Sequence, residues 1–288
     1  MVDSPCKVEI SYKDKILMLG SCFTDNIGRQ LKDFGFNVCV NPFGTLYNPA
    51  SVMSAIERLI SREQFTEADC VQIGAGDMRF CSYSHHTAFA RSTKEDFLTN
   101  ANQALIEAAD FFNTCNKIII TLGTSWCYRH IERDMIVSNC LKHPSGEYKR
   151  EFLQASETAE LLTRIMSVCK YTDDSIVPKD FIFTVSPIRH FKDGAHGNQI
   201  SKASLLVGID QALSVPCQVK ADYFPSYEIM MDELRDYRFY AEDMCHPTLQ
   251  AVNYIRERFL NWALPSEEQS ILEEKIREFR RNSHIQTH

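Results

Sequence analysis

A serine, an aspartate and a histidine stand near opposite ends of the chain, and their types would suit a nucleophile with its base. Ser21 follows an apolar run in KILMLGSCFTDNIGRQL (15–31), and AEDMCHPT holds Asp243 and His246 three positions apart. A serine hydroxyl is a poor nucleophile until a base removes its proton, and that base needs an acidic partner to fix its tautomer. Each feature alone is weak, because Gly-Ser turns and Asp-x-x-His turns are common in proteins without catalysis.

Four apolar runs with β-branched residues predict buried strands of a parallel sheet, at 16–19, 38–40, 117–122 and 181–185. Helical patterns lie between and beyond them, at 24–34, 49–60, 94–113, 152–171 and 201–213. Strands that alternate with helices predict an open α/β fold, in which a central parallel sheet has helices on both faces.

The remaining segments predict two insertions and two closing helices. The polar stretches 64–92 and 128–151 are too long for ordinary connections, and we expect them to shape a pocket. Pro247 suits the first turn of a helix that runs through Leu264, and a second helix is predicted at 266–281.

We expect one catalytic domain over residues 1–264, with a helical extension over 265–288 that packs on it. A length of 288 residues is enough for one large domain.

Composition limits the classes of partner and the compartment. A net charge of −7, spread along the chain, argues against nucleic acid as a partner. No apolar run approaches the roughly 20 residues that span a bilayer, and the N-terminus lacks the order of a signal peptide. The 11 cysteines form no CxxC pair, which fits reduced thiols. These features together predict a cytoplasmic protein.

Ser21 follows directly after a predicted strand, which is a position typical of catalytic residues in an open α/β sheet, because ligands bind beyond the carboxyl ends of the strands. Gly20 would permit the tight turn after the first strand. A helix that begins near Thr24 would direct its free N–H groups and positive dipole end toward the same place, where negative charge can be stabilised.

Taken together, the two ends of the chain resemble the SGNH/GDSL hydrolase superfamily, in which an early strand delivers the serine and a late Asp-x-x-His delivers its partners. The resemblance is closer to one branch, the GSCFA family, over about residues 15 to 264. Four motifs carry it: LGSCF (19–23), NPFGTLYNP (41–49), SPIRHFKDGAHGNQISKA (186–203) and DYRFYAEDMCHP (236–247). The resemblance implies a flavodoxin-like SGNH hydrolase fold.

By this resemblance Ser21 is the nucleophile, His246 is the general base and then the general acid, and Asp243 orients His246. Cys22 is the rival nucleophile, since a thiol is intrinsically more reactive than a hydroxyl. We expect its side chain to point into the fold as the helix begins, where a cysteine acts as a small apolar filler.

The resemblance also implies an oxyanion hole, whose donors stabilise the charge that acyl transfer builds on a carbonyl oxygen. The N–H of Ser21 and the N–H of Gly44 match two of its donors. The third is normally an asparagine side chain in a Gly-x-Asn motif, and Gly123-Thr124-Ser125 stands in that place. The resemblance therefore assigns Gly123 and Ser125 to this part of the oxyanion hole, with the Ser125 hydroxyl in place of the asparagine amide.

Histidines elsewhere raise the question of a metal, but their spacings match no metal motif, so we expect neither a metal nor an organic cofactor. They are His85, His86, His130, His143, His190 and His196. Adjacent histidines on an extended segment point to opposite faces, so at most one of the first two would line a site. We expect substrate contacts from His86 and, just after the fourth predicted strand, from Arg189 and His190.

The predicted activity is hydrolysis of an acyl ester through a covalent acyl-enzyme. The expected substrate is a small molecule or carbohydrate that carries an O-acetyl or other short acyl group. Two alternatives stay open: an acyltransferase in which a sugar hydroxyl replaces water, and a binding module that has lost catalysis. The sequence does not indicate an oligomeric state.

Overall fold

The computed structural model describes residues 5–169 and 177–285, and strands alternate with helices along the chain. In chain order the strands are β1 (Lys15–Gly20), β2 (Asn37–Val40), β3 (Val71–Gln72), β4 (Phe80–Cys81), β5 (Lys117–Leu122), β6 (Trp126–His130), β7 (Met135–Val137), β8 (Tyr148–Phe152), β9 (Asp180–Val185) and β10 (Ala221–Phe224). The helices are α1 (Cys22–Asp33), α2 (Pro49–Ser61), α3 (Lys94–Thr114), α4 (Ala155–Val168), α5 (Gly194–Ser214), α6 (Ser226–Glu228), α7 (Leu249–Ala263) and α8 (Gln269–Ile285).

The central sheet has five parallel strands in the order β2-β1-β5-β9-β10. All four predicted strands belong to it, and the predicted flavodoxin-like α/β fold is confirmed. Strand β10 was not predicted, because its four residues, ADYF, include an aspartate and form a partly exposed edge of the sheet.

Two apolar clusters cover the two faces of this sheet. Successive side chains of a strand point to opposite faces, and β1 accordingly sends Leu17 to one cluster and Met18 to the other. The first cluster contains side chains of α2, α3, α4 and α5. The second contains side chains of α1, α7 and α8. The carboxyl ends of the strands are thus fixed between two helical layers.

Three helices begin at different residues from those predicted, and in α1 and α7 a side-chain cap sets the start. α1 begins two residues early, at Cys22, since Ser21 caps it. The expectation that Pro247 opens a helix is wrong: Pro247 pairs with Tyr240 in a β-bridge, and Thr248 caps α7. α5 begins at Gly194, seven residues before its predicted start.

The helix predicted at 152–171 is shorter at its start than expected. Phe152 belongs to β8, and Gln154 with Glu157 forms a capping box that starts α4 at Ala155. The predicted end, at 170–171, lies outside the described residues.

Both predicted insertions carry short strands. The stretch around 128–151 forms the antiparallel sheet β7-β6-β8, and the stretch 64–92 contains the β3-β4 pair. The two are joined where Ser138 N–H donates to the carbonyl of Tyr83 over 2.9 Å. Of the helices in the described residues, none combines the length and apolar character needed to cross a bilayer.

The last helix packs against the end of α1. Leu272 of α8 is buried in the second cluster, and the Phe279 ring lies 5.9 Å from that of Phe34. This contact agrees with a packed C-terminal extension, although the division at residue 264 stays a prediction. Residues 286–288 of that extension lie outside the description.

Candidate active site

Strand β1 ends in a turn that only glycine fits. Gly20 has a φ of +145°, and a Cβ built there would lie 2.2 Å from the carbonyl oxygen of Thr121 on β5. A side chain would therefore force the two strands apart. The prediction that Gly20 permits the tight turn is confirmed.

Ser21 is the N-cap of α1 and is only 1% exposed. Its Oγ accepts a hydrogen bond from Phe23 N–H over 3.3 Å, and its carbonyl accepts one from Thr24 N–H over 2.8 Å. Its own N–H donates to the carbonyl of Thr121. The N–H, the carbonyl and one acceptor site of the Ser21 hydroxyl thus take part in forming the turn.

Cys22 begins α1 and lines a cavity of about 550 Å³ at the carboxyl edge of the sheet. The prediction that its side chain packs as an apolar filler agrees with the contact between Cys22 and the second cluster, and the residue also borders the cavity. Burial raises the pKa of this thiol, and the Asp25 carboxylate raises it further. The N–H groups at the start of α1 and the ammonium of Lys202 lower it.

The same cavity is lined by the Asp243–His246 loop. His246 Nδ1 lies 2.5 Å from Asp243 Oδ2, and the N–H groups of Cys245 and His246 each donate to Asp243 Oδ1 over 2.9 Å. These bonds, from the His246 backbone first, lower the pKa of Asp243 to about 2. The carboxylate is therefore ionised at neutral pH, and it fixes Nδ1 so that Nε2 is the nitrogen left for proton transfer.

The predicted oxyanion donors other than Ser21 also have protein acceptors. Gly44 N–H donates to the carbonyl of Asn41 over 2.7 Å, and Gly123 N–H donates to that of Tyr47 over 2.8 Å. Ser125 is fully buried, and its Oγ donates to the carbonyl of Ser201 over 2.9 Å.

None of the four predicted oxyanion residues is among the described residues that line the cavity. The backbone explains why position 44 is a glycine: its φ is +87°, and a Cβ there would lie 2.2 Å from the Cβ of His86. Each of the four residues thus donates to an acceptor within the protein, and their catalytic role stays a prediction.

Of the predicted substrate contacts, Arg189 and His190 line the cavity. The Arg189 guanidinium lies 3.9 Å from the centre of the Tyr240 ring. Burial, and then the charge of Lys202, lowers the pKa of His190 to about 4, so this imidazole is neutral at physiological pH. His86 does not line the cavity: it caps a 3₁₀ turn through Nδ1, which accepts from Ala88 N–H over 3.2 Å.

Sequence reasoning missed Lys202, which is 1% exposed on α5. Its Nζ donates to the carbonyls of Gly123 over 2.6 Å and of Ser186 over 2.7 Å, just beyond β5 and β9. Burial lowers its pKa to about 7. The signal was available, because Lys202 precedes Leu205 and Ile209 by three and seven positions and so shares the apolar face of the helix.

The second insertion also supplies cavity residues that were not singled out. The Arg150 guanidinium pairs with Asp193 and lies 4.0 Å from the centre of the Trp126 ring. The hydroxyl of Tyr128 accepts a hydrogen bond from Lys192 Nζ over 2.8 Å. Both insertions were expected to shape the pocket. Residues of the insertion 128–151 do line the cavity, whereas no described residue of the insertion 64–92 does.

Several of the remaining histidines have partners within the protein. His85 is fully buried beside Ser82 Oγ at 2.7 Å, and His143 Nδ1 lies 3.0 Å from Glu147. Across residues 5–169 and 177–285, no three His, Cys, Asp or Glu side chains are grouped to hold a metal ion.

A known protein family is similar to this chain over most of its length. A search of curated proteins gave no match. The profile of the GSCFA family matches residues 15–259, which include both the β1–α1 turn and the Asp243–His246 loop. With the five-stranded parallel sheet, this match is consistent with a GDSL/SGNH-like hydrolase. The chain belongs to the GSCFA family.

Proposed function

We propose that this protein hydrolyses an acyl ester through a covalent acyl-enzyme, with His246 as the general base. The observation that carries the proposal is the 2.5 Å contact between His246 and Asp243, on a cavity that the first residue of α1 also lines. Acyl transfer requires a base that is held by a carboxylate and a nucleophile within its reach.

The β1–α1 turn supplies the nucleophile. The sequence-based hypothesis assigns that role to Ser21, and Cys22 is the rival. In either case His246 Nε2 takes the proton of the nucleophile, which attacks the acyl carbon. The C–O bond then breaks, and the leaving alcohol receives the proton. Water, deprotonated by the same imidazole, releases the acyl group as an acid.

The start of α1 favours the negative charge that develops in this reaction. α1 has 12 residues, and its N-terminal N–H groups lie beside the cavity-lining Cys22. The positive end of the helix dipole and its free N–H groups stabilise a nearby anion. The ionised Asp243 stabilises the imidazolium that forms at the same time.

A carbohydrate that carries an O-acetyl or other short acyl group is the proposed substrate. The cavity volume of about 550 Å³ falls within the range typical of small-molecule sites. Its walls combine aromatic faces, from Tyr128 and the 49% exposed Phe191, with charged groups such as Arg189. Sugar rings stack on aromatic faces, and their hydroxyls bond to charged groups.

Hydrolysis is favoured over transfer to a second sugar by the exposure of the base. The side chains of His246 and Asp243 are 51% and 50% exposed, so water reaches the place where the acyl-enzyme would be attacked. Product analysis with and without sugar acceptors distinguishes the two, since transfer would give a new ester when an acceptor is present.

Turnover of a panel of short and long acyl esters, including acetylated sugars, tests the proposal. Asp243→Asn is expected to lower kcat by about 10²–10⁴-fold, because the imidazole loses its orienting carboxylate. Asp210→Asn, at an exposed position of α5, is the matched control and should retain wild-type turnover. Equal turnover in wild type and Asp243→Asn would contradict the proposal. Absence of both turnover and fluorophosphonate labelling would favour a binding module.

A further inference from the structure

We infer that the acylated sugar which enters this cavity also carries an anionic group, a carboxylate or a phosphate, and that Arg189 binds this group. The inference rests on the proposed function, since it names the class of ester that the same cavity would take. Arg189 lines the cavity, and its backbone N–H donates over 3.1 Å to the carbonyl of Cys245, the residue before His246. The cation and the proposed base thus belong to adjoining segments of one cavity wall.

The described lining of the cavity carries more positive than negative charge. Three of its side chains are cationic and two are carboxylates, namely Arg150, Arg189, Lys192, Asp193 and Asp243. The chain as a whole has a net charge of −7, so this excess of cations is a local feature. A cleft that concentrates charge of one sign raises the local concentration of a substrate of the opposite sign.

Both carboxylates of the lining already have partners within the protein. Asp193 pairs with Arg150, and Asp243 accepts hydrogen bonds from two backbone N–H groups of its own loop. In contrast, no carboxylate of residues 5–169 or 177–285 forms an ion pair with Arg189 or Lys192. The charges that remain for a ligand are therefore positive.

Two tyrosine rings hold the side chain of Arg189. Its guanidinium carbon lies 3.9 Å from the centre of the Tyr240 ring and 5.2 Å from that of the Tyr237 ring. Ring faces attract a guanidinium electrostatically, while the N–H groups at the edge of its plane can still donate to oxygen acceptors. That edge matches two oxygens of a carboxylate or phosphate, and such bidentate pairs are among the strong hydrogen bonds.

Nearby arginines whose charge is offset within the protein are arranged differently. Arg150 pairs with Asp193. Arg238 pairs with Asp236 over 2.9 Å. Arg189 is partly buried, and a cation that loses water without gaining a counter-ion is costly. An anionic group on the substrate would offset this cost, which explains an arginine at this position better than packing alone.

Lys192 supplies a second cation to the same lining. Its Nζ donates to the hydroxyl of Tyr128 over 2.8 Å and lies 5.1 Å from the centre of that ring. An ammonium has three donors, so others remain for an anion or a sugar hydroxyl. Because Lys192 is exposed, its contribution should be smaller than that of Arg189.

Turnover of matched acetylated sugars tests the inference. O-acetyl glucuronic acid and O-acetyl glucose 6-phosphate are the charged esters, and O-acetyl glucose is the neutral one. Wild type should prefer at least one charged ester by about 10–100-fold in kcat/KM, as expected for hydrogen bonds to an ion. Arg189→Gln should lower this preference by about tenfold or more, and Lys192→Gln should lower it less. The charged ester with the larger loss shows whether the site takes a carboxylate or a phosphate.

The preference is a ratio, so it separates binding of the anion from a structural role of Arg189. Misfolding would lower the turnover of charged and neutral esters alike and leave the ratio unchanged. Arg189→Lys keeps the charge without the planar edge and should retain part of the preference. Arg238→Gln is the matched control, since its side chain is 72% exposed and is not among the described lining residues, and it should keep the wild-type ratio.

Equal turnover of charged and neutral esters by wild type, or a preference that survives in Arg189→Gln, would overturn the inference. Titration calorimetry with glucuronic acid, glucose 6-phosphate and glucose separates it from the proposed function, because binding needs no ester. If no ester is turned over but a charged sugar binds more tightly than glucose, and Arg189→Gln removes that difference, only the proposed hydrolysis fails. If esters are hydrolysed without any dependence on charge, only the anion site fails. If neither turnover nor charge-dependent binding occurs, both fail.

Discussion

The two sides of the cavity are built differently. On the turn side, Cys22 lines the cavity and is partly buried, whereas Gly20, Ser21 and Lys202 are buried. Ser21 and Lys202 are hydrogen-bonded to neighbouring strands or to the residues just beyond them. The loop side, Asp243 to His246, is half exposed and is held mainly by short-range bonds. Residues of the turn side therefore support both the fold and the proposed chemistry, whereas the loop side can be changed with little effect on the fold.

On the turn side, further hydrogen bonds connect the backbone of Gly20 with the side chains of Asn41 and Asp25. Gly20 N–H donates to Asn41 Oδ1 over 2.8 Å, and Asn41 Nδ2 donates to Asp25 Oδ1 over 2.6 Å. Buried polar networks of this kind fix geometry when every member has a partner. On the loop side, Arg189 N–H donates to the carbonyl of Cys245, and Ala241 N–H donates to that of His246. These backbone bonds hold the loop less firmly than the network behind the turn.

His246→Ala is expected to have the largest effect, and only on activity. Removal of the base should lower kcat by about 10³-fold or more, or roughly 4 kcal/mol of transition-state free energy. Because the side chain is half exposed, the midpoint of thermal unfolding should stay close to that of wild type. Steady-state kinetics and a melting curve measure both quantities.

His196→Ala is the matched control for loss of an imidazole, since His196 is exposed on α5 and is not among the described lining residues. A large drop in unfolding midpoint for His246→Ala would show that the loop side is structural, and it would remove the contrast between the two sides.

Gly20→Ala should have the opposite profile, a loss of stability. The new Cβ would meet the Thr121 carbonyl at 2.2 Å, at a φ of +145° that side chains rarely adopt. Strain and overpacking together should lower the free energy of unfolding by about 3 kcal/mol or more. Urea denaturation measures this, and Gly146→Ala, where a Cβ meets nothing within 4 Å, is the control. A Gly20→Ala protein of wild-type stability would contradict the account of the turn.

Lys202→Met should change how stability depends on pH. The pKa of Lys202 is lowered to about 7 in the folded protein from an ordinary value of 10.5. Between these values the unfolded chain binds the extra proton, so this lysine makes stability rise with pH across that window. The two N–H bonds of a neutral amine match its two carbonyl acceptors.

The free energy of unfolding of wild type minus that of Lys202→Met should therefore increase from pH 7 toward pH 10.5. Urea denaturation over this range provides the measurement, and Lys220→Met at a more exposed position corrects for general effects of losing a lysine. A difference that is flat or falls with pH would mean that Lys202 is charged throughout.

Asp25→Asn should have the smallest effect, on the acidity of Cys22. Asp25 is the charged group that most raises the pKa of this thiol, after burial itself. An asparagine keeps an oxygen for Asn41 Nδ2 and removes the charge. The pH profile of Cys22 alkylation should move to lower pH, while an Asp33→Asn control should not move it. A shift to higher pH would be contrary to this electrostatic account.

The sequence was informative about the fold where side-chain patterns are local. Buried strands such as 117–122 read as continuous apolar runs, and Asp243 and His246 could be paired from their spacing alone. What could not be read was which of Ser21 and Cys22 lines the cavity, because that depends on where α1 begins. One cap changes the direction of the side chains that follow it.

Long-range contacts were also beyond sequence reasoning. Lys202 meets Gly123 across 79 positions, and Gly44 is explained by its approach to His86 rather than by a free N–H. The oxyanion donors had been assigned by motif, but hydrogen bonding is decided by tertiary neighbours. The acceptors of Gly44, Gly123 and Ser125 could be identified only in three dimensions.

The most direct test is the mass of the protein after rapid acid quench with 4-nitrophenyl acetate, for wild type and for His246→Ala. The account predicts one acetyl group per wild-type chain, located by peptide mapping at the β1–α1 turn, on Ser21 or on its rival Cys22. It predicts no such adduct in His246→Ala. An acetyl group on Cys245 or elsewhere outside the β1–α1 turn, or one that forms equally without His246, would contradict it.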